Sequence, residues 1–151
     1  MKYLCAICAL ALLSTACGED PLSLKVHPAQ HAPNAQAQPP EGWQRIEFAG
    51  SPRSQAGTYF VRTEPLLTEF NIIEFRDAGE RTISARLNAY SIQKLQKFAS
   101  DSTHLKKPLA ININNRWADL TPFLEAPKDR MFLHGFTDEK KTQLRHAIDT
   151  R

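Results

Sequence analysis

Beyond residue 41 the chain alternates short runs of strand period with two stretches of helical period. Trp43-Gln44-Arg45-Ile46-Glu47-Phe48 alternates apolar and polar positions and stops at Ala49-Gly50-Ser51-Pro52. Such a run predicts a strand closed by a turn. Gly57-Thr58-Tyr59-Phe60-Val61 predicts a second, ended by the Glu64-Pro65 step. The Ile- and Phe-rich segments 70–76 and 81–87 flank Asp77-Ala78-Gly79-Glu80, a hairpin signal in which Gly79 can take a positive φ. Asn88 stands where a helix N-cap belongs, and Ile92, Leu95, Phe98 and Ala99 follow at spacings of three and four. They predict an amphipathic helix over 89–103, with Lys94, Lys97 and Asp101 outside. Pro108 to Ile113 reads as a strand, Asn114-Asn115 as a tight turn, and Arg116-Trp117-Ala118 as its return. The segment 119–128 holds Pro122 and Pro127 and is expected to be a loop. Met131 to His134 is a last strand, and Thr137 caps a final helix with Asp138 and Glu139 at its positive end and Leu144, Ala147 and Ile148 as its apolar stripe. Sequential strands joined by short turns predict an α+β fold: a mostly antiparallel sheet with two helices packed on one face.

The first 41 residues follow other rules. Lys2, an apolar run from Leu4 to Leu13 and small residues at 14–16 lead to Cys17. The run is too short to span a bilayer as a mature helix and reads as a signal peptide. Leu13-Ser14-Thr15-Ala16-Cys17 is similar to the lipobox of bacterial lipoproteins, which makes Cys17 the expected lipidation site. Two or three acyl chains, palmitate among them, hold firmly where one binds marginally. From Gly18 to Glu41 the chain is rich in Pro, Ala, Gln and His, a composition expected of an extended tether. The expected division is a signal peptide at 1–16, lipidated Cys17 and tether at 17–41, and a folded domain at 42–151. The expected place is the cell envelope, facing the periplasm. Gly18, where Asp would retain a lipoprotein at the inner membrane, favours the outer membrane.

Charge and cysteine usage narrow the chemistry. Cys5 and Cys8 fall in the removable segment and Cys17 at its end, so the mature chain offers no disulfide, thiol nucleophile or Cys-ligated metal. Removing Lys2 with the first 16 residues leaves 18 basic side chains against 16 acidic, no field for nucleic acid. His27 and His31 have a metal-like spacing, but in a Pro-rich tether they read as solvated. His134 reads as a half-buried, hydrogen-bonded histidine, and His104 and His146 as helix-terminal ones. Ser54, Ser84 and Ser102 lack a nucleophile elbow, Asp119 and Glu125 share a loop without a partner pattern, and the glycines are scattered. No catalytic residues, cofactor or metal are expected. Trp117, Arg116, Lys107 and Arg130 are the expected partner-binding residues, with Lys106, Lys128 and Phe123 around the same hairpin, since Trp and Arg most often anchor interfaces.

Ile83-Ser84-Ala85-Arg86-Leu87, the helix after it, Lys107-Pro108-Leu109-Ala110-Ile111-Asn112-Ile113-Asn114-Asn115-Arg116, and Leu133-His134-Gly135-Phe136-Thr137-Asp138-Glu139 occur in that order. Together they resemble the head subdomain of the first periplasmic loop of SecD, the preprotein-translocase subunit. Tyr59-Phe60-Val61 and Glu64-Pro65-Leu66-Leu67-Thr68 are similar to the segment leading into it. This chain has Asn114-Asn115 where the family has Asp-Gly, and Lys106 where it has Gly. The resemblance implies a detached, lipid-anchored, non-enzymatic head domain whose partner is an envelope protein or an extended polypeptide. The alternative is an inhibitor or immunity-type lipoprotein that blocks an envelope enzyme.

Overall fold

The computed structural model describes residues 21–151. The signal-peptide and Cys17 expectations lie outside them. Nine strands and two helices follow in the order β1 (Leu24–His31), β2 (Trp43–Phe48), β3 (Gly57–Arg62), β4 (Leu67–Thr68), β5 (Ile72–Asp77), β6 (Thr82–Leu87), α1 (Ala89–Ala99), β7 (Pro108–Ile113), β8 (Arg116–Pro122), β9 (Arg130–His134) and α2 (Asp138–Asp149). The fold is α+β, and every strand pairing is antiparallel. The strands form two sheets. One runs β2-β3-β1-β7-β8 with β4 also on β1, and the other β5-β6-β9.

The largest departure from the sequence pattern is β1, which lies inside the expected tether. Its residues 24–28 pair with β7, from Leu24 against Ile113 to Pro28 against Leu109. Its other edge takes β4 at Lys25 and Val26, then β3 from Ala29 to His31. Leu22, Leu24 and Val26 are buried. Pro28 reads as a strand breaker, yet its missing donor is not needed. The Val26 carbonyl accepts from Leu66 N–H, so even-numbered residues of β1 face the β4 and β3 edge, and Pro28 falls where one partner gives way to the other. His27 is therefore buried and not solvated: its ring donates from Nδ1 to the Arg62 carbonyl at 2.8 Å and meets Trp117 edge-on at 5.5 Å. Burial holds its pKa below the ordinary histidine value.

The main core joins both sheets and both helices, with Leu24, Val26, Ile83, Leu109, Ile111, Leu133, Leu95 of α1 and Leu144 of α2 in one cluster. Asn88 caps α1 by accepting from Ser91 N–H, and Thr137 caps α2. Lys141 on α2 is buried and donates to both Asp77 oxygens and to the Gly79 carbonyl, each at 3.0 Å, which fixes α2 to the β5–β6 turn. That bond holds the Asp77 carboxyl below the usual carboxylate range. A smaller core of Ala29, Ile46, Phe48, Tyr59, Val61, Ala110 and Leu120 lies on the other face of the large sheet. The expected loop 119–128 is strand as far as Pro122, because its odd residues alternate against β7 as far as Phe123, whose N–H and carbonyl bond Lys107 and Lys106. Asn114 and Asn115 turn with φ of 51° and 61°, as the sequence predicts, and Lys106 also lies in the left-handed region, with φ of 66°.

Two outcomes test this architecture. A chain starting at Gly42 lacks the strand between β7 and β3 and is expected to show no cooperative unfolding transition by circular dichroism. A folded, cooperative product restores the tether. Because the folded pKa of His27 lies below its unfolded value near 6.5, the unfolded state binds more protons just below that value. Stability is then full above about pH 6.5 and falls as pH drops through it toward the folded pKa. His134, also held low, adds in the same direction. Urea midpoints from pH 7.5 to 5.5, on the order of one histidine titration range, should fall for the native chain and fall less for His27→Gln, where only His134 remains.

Candidate functional site

The two sheets meet where the edge strand β8 approaches β9. Gly135 makes this approach possible: its φ is 95°, and a Cβ there would stand 2.7 Å from that of Ala118. Between the two strands lies a groove of about 320 Å³ lined by Thr121, Pro122, Phe123, Leu124, Arg130, Phe132 and their neighbours.

The two edges are treated differently. On β8 the Leu120 backbone faces away from β7 and is capped, with its N–H on Asp119 Oδ1 at 2.8 Å and its carbonyl on Ser54 Oγ at 3.1 Å. The buried Asp119 carboxylate also accepts from Ser51 Oγ at 2.7 Å and shares the single Ser54 hydroxyl proton, 2.9 Å away, with the Leu120 carbonyl. Pro122 closes the rest of that edge, since it carries no donor. The Ser54 hydroxyl thus serves the strand edge and Asp119 and makes no hydrogen bond to His31 or His134, which line the same cavity, so the cluster is a backbone cap. His134, half-buried, has Nδ1 3.1 Å from Thr82 Oγ1, and burial and the Arg53 charge hold its pKa low against the opposing pull of Asp119.

The edge of β9 is open. Leu87 N–H bonds the Asp129 carbonyl, and Gly135 N–H the Arg81 carbonyl, so odd-numbered residues of this strand face β6. The backbone N–H and C=O groups of Arg130, Phe132 and His134 then point away from β6, with no strand paired to them among the described residues. Met131 and Leu133 turn their side chains to the core, which leaves Phe132 60% exposed on the solvent face. Leu124 across the groove is 67% exposed. Thr121 Oγ1, on the groove wall, is buried without a hydrogen-bond partner.

The predicted contact residues do not form one patch. Lys107 precedes Pro108 and Arg116 follows Asn115, at opposite ends of a six-residue strand about 20 Å long. Arg130 borders the groove, but its guanidinium is bound to Glu74 and to the Ser84 carbonyl. Arg86 joins Asp129 at 3.2 Å and Glu74 at 3.5 Å, so these side chains and Arg130 form one ion-pair network, while Glu125 also lines the groove. Arg130 first of all holds the Glu74 carboxyl below its ordinary range. Phe123 is core, and Trp117 is half-buried against the smaller cluster and His27. Sequence reading misses Phe132 and Leu124. The signal for Phe132 is the period of Met131-Phe132-Leu133, which sends one large apolar residue outward.

The chain is similar in shape to two solved structures of SecDF. Against one, described as "Structure and function of a membrane component SecDF that enhances protein export", identity is 15% and the TM-score 0.46, over 82% of this chain and 60% of that one. Against the other, "Crystal structure of SecDF in Super-membrane-facing form", identity is 15% and the TM-score 0.48, over 81% of this chain and 18% of that one. This chain thus spans less than two thirds of either. It matches no protein-family model and no curated protein.

Half-burial makes Trp117 a packing residue first. Trp117→Ala should lower stability by about 1.5–3 kcal/mol, less than for a wholly buried aromatic, as read from the urea midpoint. An unchanged midpoint would return Trp117 to the list of free contact residues.

Proposed function

We propose that this protein is a membrane-anchored, non-enzymatic binding module of the periplasm-facing envelope that takes extended polypeptide along the free edge of β9. The observation that carries the reading is the row of outward backbone donors and acceptors at Arg130, Phe132 and His134. An open edge of this kind templates a further strand, with main-chain hydrogen bonds giving affinity and side-chain pockets giving selectivity. Exposed Phe132 and Leu124 offer apolar contact to alternate side chains of such a strand. The Arg130–Glu74–Arg86–Asp129 network lowers the charge that Arg130 presents to the groove. The motif resemblance to the SecD head supports a place in the handling of exported chains.

Binding of a reduced and alkylated, permanently unfolded polypeptide, followed by fluorescence anisotropy, tests the reading. Phe132→Ala should weaken binding about tenfold while the melting temperature stays within about 2 °C, since the ring is mostly exposed. Backbone N-methylation at alternate residues of a bound peptide should abolish binding. Equal affinities for Phe132→Ala and for Lys97→Ala, a change on exposed α1 surface, would reject the groove. Capture of one folded envelope enzyme in place of unfolded chain favours the inhibitor reading.

A further inference from the structure

The position at which the chain enters the fold fixes how the domain stands on its membrane. Leu22 is buried in the main core, and Ser23 is tied to the β7–β8 turn from both sides: its N–H donates to Asn114 Oδ1 at 2.9 Å, and its carbonyl accepts from Asn114 N–H at 2.8 Å. Pro21 is the first exposed residue before this clamp. Only four residue steps separate it from Cys17, at most about 14 Å of fully extended chain. The headgroup layer is itself about 5–8 Å thick on each side of a bilayer. A domain of this length has a radius of gyration near 14 Å, so so short a connection cannot lift it clear of the surface.

We infer that the face surrounding Pro21 rests on the phospholipid headgroups, with Phe70, Arg151 and the Asn114–Asn115 turn and its Arg116 as the contacting groups. This rests on the anchor reading above. Phe70 is 67% exposed, borders a pocket of about 300 Å³ shared with Pro21, Leu22, His146 and Arg151, and has the Arg151 guanidinium 4.9 Å above its ring. An exposed aromatic beside a basic side chain is the composition that settles at the boundary between headgroups and acyl chains. Arg116, exposed at the tip of the turn, adds a second positive charge toward lipid phosphates. Glu69, on the same rim, accepts from Leu24 N–H at 3.0 Å, which directs its carboxylate inward. Lys107 marks the other end of the β7–β8 hairpin, about 20 Å along the strand from the turn.

The mature chain carries no thiol other than Cys17, so a single introduced cysteine can be labelled cleanly. The test uses the full acylated protein in vesicles of phosphatidylethanolamine and phosphatidylglycerol that contain a headgroup spin label. Phe70→Cys and Lys107→Cys are each labelled with a small fluorophore. Both sites are exposed, so neither change should disturb folding, and the melting temperature checks this. The expected result is quenching several-fold stronger at position 70 than at 107. Equal quenching at the two sites, or stronger quenching at 107, in protein whose acyl mass on Cys17 is verified, overturns the orientation while leaving the anchor intact. Absence of acyl mass on Cys17 overturns the anchor reading and the orientation with it.

Discussion

The backbone pairing of β1 is the constraint on which the other elements depend. One edge of this strand is matched to β7 over five residues, and the other is divided between β4 and β3. Without it, β7–β8 and β2–β3 are two separate hairpins, each with an unpaired edge and a bare apolar face. Isolated hairpins are marginal in water, whereas a sheet packed against helices is not. The side chains of β1 make the same connection: Leu24 and Val26 enter the main core, while Ala29 enters the smaller core on the opposite face. One segment thus sets both the order of the large sheet and the relation between its two cores.

This segment was the hardest to read, for a physical reason. Pro28, Pro33 and the run of Ala and Gln after it depress local strand propensity, and the alternation of Leu22, Leu24 and Val26 is brief. What makes the strand is non-local: β7 and β3 lie about 80 and 30 residues away and supply the hydrogen bonds, and the break between β4 and β3 excuses the proline. The features that read correctly are those decided by near neighbours, among them the caps at Asn88 and Thr137 and the Asn114–Asn115 turn. Site reading followed the same divide. Lys107 and Arg116 border the same hairpin in sequence, but the hairpin's own length separates them. Arg130 looks free until folding brings Glu74 to it from 56 residues away.

The contrast between the two edges gives the groove its character. Asp119, Ser51 and Ser54 occupy the groups that β8 turns outward, and Pro122 removes one donor outright, so this edge is closed to pairing. Strand β9 has only its shortness as protection, since five residues offer few bonds to an aggregating neighbour. A short open edge beside exposed apolar side chains binds weakly along any one chain. It suits transient engagement of varied extended segments better than a permanent partner, whose interface would bury a larger and more apolar area.

The rigid hairpin β7–β8 joins this groove to the surface where the chain emerges. Its turn is clamped to Ser23 beside the exit at Pro21, while its far end, at Pro108 and Pro122, carries the groove wall that continues into Phe123 and Leu124. A long tether would let the domain sample a wide volume and every orientation, and the effective concentration of its groove near any one point would fall with the reach of the linker. Absorbing residues 22–31 into the sheet leaves a connection of a few residues instead. Under the proposed anchor at Cys17, that connection confines the groove to a thin layer above the lipid and to a narrow range of orientations. On the proposed function, capture in that layer depends on where an extended chain passes relative to the membrane as much as on its sequence, a form of selectivity that an open strand edge cannot supply by itself.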